Sequence, residues 1–216
     1  MKALLRRWFP LLLALLAAAI SLAVYPRLPA QMVTHWDASG NPNGWMPRAL
    51  GAFFAPALIA LTGGILRLAP RIDPRRANYD KFRGAYESTI AAVLLLLLAV
   101  HLVVLAAALG YPVPVARLVP TFVGVLLLFI GNVLPRARSN WLYGIRTPWT
   151  LSSDRVWERT HRLAGYAMTA AGVLIILASA LLPLRAGIFL IVGAALAATL
   201  GPAVYSYFIW KKEVKS

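Results

Sequence analysis

Six apolar stretches, at residues 8–25, 50–69, 88–109, 118–134, 163–182 and 188–210, divide this chain of 216 residues. Each has about the 17–25 residues that an α-helix needs to cross a hydrocarbon core ~30 Å thick. Backbone in lipid must satisfy its own hydrogen bonds, so stretches of this kind become helices packed into a bundle. The expected fold is therefore all-α and integral to the membrane, with six transmembrane helices.

The basic residues orient that bundle. Eighteen of the 22 Lys and Arg fall in alternate gaps between the stretches. They are Lys2, Arg6 and Arg7; Arg67, Arg71, Arg75, Arg76, Lys81 and Arg83; Arg136, Arg138, Arg146, Arg155, Arg159 and Arg162; and Lys211, Lys212 and Lys215. The other side has only Arg27, Arg48, Arg117 and Arg185. Basic loops stay cytoplasmic on insertion, so both termini are expected inside. A net charge of +15 would suggest nucleic acid in a soluble protein. Here the topology absorbs it, so the expected partner is the lipid bilayer and no direct nucleic-acid binding is expected. The first stretch imitates a signal peptide, but its length and the lack of a small-residue cleavage site before Tyr25-Pro26 favour an uncleaved first helix. With no cysteine in the chain, disulfides, thiolate metal sites and thiol catalysis are excluded.

Two loops are long enough to carry chemistry. The outer one, residues 26–49, has a β-permissive run at 31–36, and Asn43-Gly44 is a tight-turn signal. A small folded hairpin is expected there. Trp36 and Trp45 suit the head-group level. Asp37, Ser39, Asn41 and Asn43 alternate as in a calcium loop, but Pro42 takes the place of the required glycine and Arg48 that of the bidentate Glu. No metal or other cofactor is expected, and His35 is read as hydrogen-bonded to Asp37.

The inner loop, residues 135–162, concentrates aromatic and polar side chains. Ser152 or Ser153 ahead of Asp154 can cap a helix start. Trp157, His161 and Ala164 would share one face of that helix, with Arg155, Arg159 and Arg162 on another, as in an interfacial amphipathic helix feeding the fifth span. Trp141, Tyr143, Trp149 and Trp157 either anchor the loop in the interface or form a functional set. Gly144-Ile-Arg146-Thr-Pro148 is a rigid turn that would hold a guanidinium ready for carboxylate or phosphate. A third segment, 70–87, reads as a basic cytoplasmic loop.

Inside the spans, Pro56, Pro120 and Pro202 should weaken local backbone bonding, and Gly193, Ala197 and Gly201 give the last helix a small-residue face for close packing. His101 lies near the middle of the third span without an acidic partner at its depth. It reads as a neutral histidine bonded between helices, and as the best residue for the alternative function, a small-solute or ion transporter or channel. Enzymatic chemistry is not expected. The chain has seven acidic residues, no paired-carboxylate or His-rich motif, and no nucleophile elbow for a Ser152 or Ser153 pairing with His161.

Gly131-Asn132, Pro135, Asn140, Tyr143-Gly-Ile-Arg-Thr-Pro-Trp-Thr-Leu151, Val156-Trp157 and Thr160-His161-Arg162 resemble the SdpI family of bacterial membrane proteins. His35-Trp36-Asp37, Gly40 and Gly44 resemble the DUF1648 segment that often precedes it. The resemblance implies two membrane regions of three spans each, at 1–112 and 113–216. It also implies a multi-pass protein of the bacterial cytoplasmic membrane that gives immunity to a secreted peptide toxin outside and binds a soluble transcriptional repressor inside. The residues it singles out are Asn132, Asn140, Gly144, Arg146, Thr147, Pro148, Trp149, Trp157 and His161 inside, and His35, Trp36, Asp37, Gly40 and Gly44 outside.

Overall fold

A computed structural model describes residues 2–214, with side chains from residue 7 onward; the side chains of Lys2, Arg6 and Lys215, counted above in the charge pattern, lie outside the described ones. Six helices are long and apolar enough to cross a membrane. They are α1 (Lys2–Val24), α2 (Arg48–Ile72), α3 (Tyr79–Ala108), α4 (Val115–Val133), α6 (Asp154–Leu181) and α7 (Leu184–Val214). The short α5 (Pro148–Ser152) lies in the loop before α6. The chain is thus an all-α multi-pass membrane protein with one added hairpin, β1 (Gln31–Trp36) and β2 (Pro42–Pro47). We call the two ends of the bundle the hairpin end and the loop end.

Helices α1, α2 and α3 pack on one another, α4 packs on α6 and α6 on α7, and α3 against α4 joins the two groups. The α4–α6 contact is close because both helices bring glycine to it. A Cβ built on Gly131 would lie 2.7 Å from the Gly165 carbonyl oxygen, and one on Gly172 would lie 2.6 Å from that of Gly124. Without side chains the two backbones meet directly, the packing that small residues permit in a bilayer.

The small-residue face expected to pack on α7 does not do so. Gly193, Ala197 and Gly201 are exposed, and a Cβ on either glycine would meet nothing within 4 Å. The helix turns Gly187, Ala198, Pro202, Ser206 and Ile209 inward instead. The loop expected at 70–87 is also largely helical: α2 continues through Pro70 to Ile72, and α3 begins at Tyr79. Pro56, Pro120 and Pro202 all lie inside continuous helices, as neighbouring helices allow.

Candidate functional site

The loop end holds a folded cap built around two buried polar side chains, Asn140 and His161. Asn140 is fully buried. Its Oδ1 accepts from the Leu142 and Tyr143 backbone N–H groups at 3.0 and 2.6 Å, and its Nδ2 donates to the Arg138 carbonyl at 2.8 Å. It therefore holds the chain in the turn that leads to Gly144. At Gly144 φ is +100°, and a Cβ there would stand 2.3 Å from His161 Nε2. That nitrogen accepts from the Ile145 N–H at 3.0 Å, so the ring proton is on Nδ1, which donates to the Trp157 carbonyl at 2.9 Å. Trp157 stacks on the same ring, with centroids 4.0 Å apart, and its Nε1–H donates to the Ala137 carbonyl at 2.9 Å. Trp157 is buried, so it is not a membrane-interface anchor.

Downstream, Thr147 caps α5 in a reciprocal box with Thr150, with Pro148 at the first helical position. Ser153 caps α6, its Oγ accepting from the Val156 N–H as expected. The segment around Trp157 and His161 is the start of α6 itself rather than a separate interfacial helix. Its two faces are as expected, with Trp157, His161 and Ala164 buried and Arg155, Arg159 and Arg162 exposed.

The cap is tied on both sides by residues the sequence reading missed. In the α2–α3 turn, buried Asp73 accepts from the Arg75 N–H at 2.7 Å and the Trp141 N–H at 2.8 Å. The Tyr79 hydroxyl points between Asp73 Oδ2 (3.0 Å) and Asn140 Oδ1 (3.2 Å). Arg75 donates to Ser139 Oγ and to the Leu151 carbonyl, and Asn78 to the Ser139 carbonyl. Tyr143 stacks on Phe82, meets Tyr86 edge-on and hydrogen-bonds Thr89; burial pushes its phenol above the ordinary value. On the other side Thr147 pairs with Ser206, Trp149 packs against Tyr207, and Ser153 donates to Glu213, all on α7. The partial signal was Asp73-Pro74, an acid beside proline in a basic segment, but Asp80 and Glu87 share that segment and nothing local marks Asp73 as the buried one that needs partners.

Trp141, Leu142, Arg146 and Pro148 remain exposed on this cap. Arg146 donates to the Trp141 backbone carbonyl at 3.1 Å, which ties its guanidinium to the turn. Asn132 lies apart, exposed in the last turn of α4.

At the hairpin end the expected β-structure is present, but its turn lies elsewhere. The chain reverses at 37–41, where Gly40 has φ +85°, and Gly44 sits in β2 opposite His35. A Cβ at Gly44 would be 2.9 Å from His35 Cβ, so glycine there serves a close cross-strand approach. Asp37 outcompetes the Asn-Gly signal: its Oδ1 accepts from the Ser39 and Asn41 N–H groups at 2.8 and 2.9 Å. These bonds, the Asn41 backbone first, hold its carboxyl below the ordinary carboxylate value. The expected His35–Asp37 bond is absent, because His35 Nδ1 pairs with Asn43 Oδ1. Met32 anchors the hairpin, buried with Leu28, Ala52 and Leu105. Trp45 is exposed, while Trp36 is half-buried beside a cavity of about 400 Å³.

Within the bundle, buried His101 bonds Ser21 Oγ at 2.9 Å, and Ser21 donates to the Ala52 carbonyl at 2.6 Å, joining α3, α1 and α2. The Ser–His pairing does not form: both His161 nitrogens are engaged, Ser152 Oγ donates to the Trp149 carbonyl, and Ser153 Oγ to Glu213.

Residues 136–206 match the SdpI/YfhL protein family, and residues 12–60 match DUF1648, a domain of unknown function. The chain is 28% identical over 169 residues to the immunity protein SdpI of Bacillus subtilis strain 168, covering 76% of this chain and 77% of that one. No solved structure matches it. The first match thus covers the cap, α6 and α7 as far as Ser206, and the second covers α1 from residue 12, the hairpin and the first half of α2, all in one multi-pass membrane chain similar to these families.

Proposed function

We propose that this chain is an immunity protein of a bacterial cytoplasmic membrane, protecting its cell from a secreted peptide toxin. The observation that carries the reading is the similarity over 76% of the chain to a protein named for immunity. Both termini and the cap face the cytoplasm, as the distribution of basic residues favours. The hairpin, with His35, Trp36, Asp37, Gly40 and Gly44, meets the toxin. The cap, through exposed Trp141, Leu142, Arg146 and Pro148, meets a soluble transcriptional repressor. Asn140, Gly144, Thr147, Trp149, Trp157 and His161 shape the cap from within.

Helix α3 offers the physical link. Leu105 packs in the cluster beneath the hairpin, and Tyr79, Phe82, Tyr86 and Thr89 grip the cap. The backbone departs from helical angles at Phe82, where φ is −135°. A ligand at the hairpin shifts the cap only if it binds two arrangements of this helix with different affinity.

The test replaces residues 34–45 by a Gly-Ser linker of equal length in a toxin-sensitive host. Protection is lost while the chain remains in the membrane at normal level. Unchanged protection overturns the assignment of the hairpin.

A further inference from the structure

We propose that the cavity at the hairpin end binds an extended apolar peptide segment, which adds as a strand to the free edge of β1. That such a segment comes from the toxin rests on the function proposed above; the chemistry of the site stands on the structure alone.

The cavity, about 400 Å³, falls within the ~300–1,000 Å³ of a ligand site. Its floor is aliphatic, with Val100, Val103 and Val104 of α3, Val115 and Val119 of α4, and Ile188 of α7. Ala116 and Pro120 of α4 complete that floor, and the hairpin supplies a wall of five consecutive residues, 34–38. Thr34, His35 and Trp36 are the last residues of β1, where its pairing with β2 is irregular, and Asp37 and Ala38 begin the turn. Side chains alternate between the faces of a strand, so three successive strand residues line one wall where the backbone edge is turned to it. The sheet has two strands, and β2 occupies the other edge of β1. Among the described residues, no backbone hydrogen bond outside the hairpin ladder involves residues 33–36. The cavity-side edge therefore keeps donors and acceptors that a second extended backbone would satisfy.

This combination selects a peptide. An acyl chain would fill the valine floor but would leave the edge groups unpaired. A polar peptide would pair the edge but gain nothing from the floor. Gly40 packs against Ala116, its built Cβ only 3.2 Å from the alanine Cβ, so the hairpin tip is seated on α4 and the edge is held over the cavity.

The experiment uses the full chain in lipid nanodiscs and fluorescence anisotropy of a labelled Lys-Lys-Val-Ile-Val-Ile-Val amide. Saturable binding is expected, at least about tenfold weaker when alternate residues of the probe are N-methylated, since that removes the donors of one strand edge. Filling the cavity by Val119→Trp, or from the other helix by Val104→Trp, weakens binding to a similar degree in protein whose circular dichroism is unchanged. Palmitate, the probe for a lipid occupant, does not compete. Equal affinity for the methylated probe, competition by palmitate, or no saturable binding each overturns the proposal. Binding without protection in cells upholds the site and removes its toxin, whereas protection without binding upholds immunity and removes the site.

Discussion

A Cβ at residue 144 would fall 2.3 Å from His161 Nε2, at a backbone φ of +100° that side chains rarely adopt. Gly144→Ala should therefore lose about 2 kcal/mol or more, from strain and overpacking together. The check is thermal unfolding in detergent beside Gly193→Ala, where nothing lies within 4 Å and little change is expected. Asn140→Ala strands the Leu142 and Tyr143 N–H groups and should cost about 2–3 kcal/mol by the same measurement. Asp37 gives a pH dependence. Its carboxyl is lowered in the fold, so its contribution to the hairpin is complete above the ordinary value near pH 4 and is lost as pH falls through the lowered one. Fluorescence of Trp36 and Trp45 should show an acid transition that Asp37→Ala removes. The motif residues were legible in the sequence as a group, but their reasons were not. Gly144 read as part of a turn, while the histidine it makes room for is 17 residues away. Asp73 and Tyr79 went unseen because no local pattern marks an acid and a phenol whose long-range partners are the Trp141 N–H and the Asn140 side chain.

Among the elements, the apolar runs located all six spans, since hydropathy over about 20 residues is a strong signal. The hairpin was legible, but its turn was not. Asn43-Gly44 is a good turn pair in isolation, yet the Asp37 carboxylate satisfies two N–H groups upstream and moves the reversal there. Close packing was misplaced for a related reason. Spacing alone favoured Gly193, Ala197 and Gly201, whereas contact depends on what the facing helix offers. Gly124 and Gly131 on α4 face Gly172 and Gly165 on α6, and only this match allows backbone approach. Gly172→Leu should thus force α4 and α6 apart and cost about 3 kcal/mol or more, while Gly201→Leu should be tolerated. Comparison of their melting temperatures in detergent checks this.

Over the whole molecule, the cap joins what the two sequence regions separate. It is tied through Asp73, Arg75 and Tyr79 to the turn after α2 and through Ser206 and Glu213 to α7, so both halves of the chain hold one surface. The chain's lack of cysteine makes its orientation simple to measure. In intact cells Ser39→Cys should react with an impermeant maleimide, and Ser152→Cys only after permeabilisation; the reverse pattern contradicts cytoplasmic termini. The most direct measurement of the central claim is survival of a toxin-sensitive bacterium that expresses this chain, challenged with membrane-damaging peptides encoded beside its gene, with Arg146→Ala in parallel. The account predicts protection by the wild type and its loss or weakening in a normally inserted Arg146→Ala. No protection by a well-inserted wild-type chain against any of those peptides contradicts it.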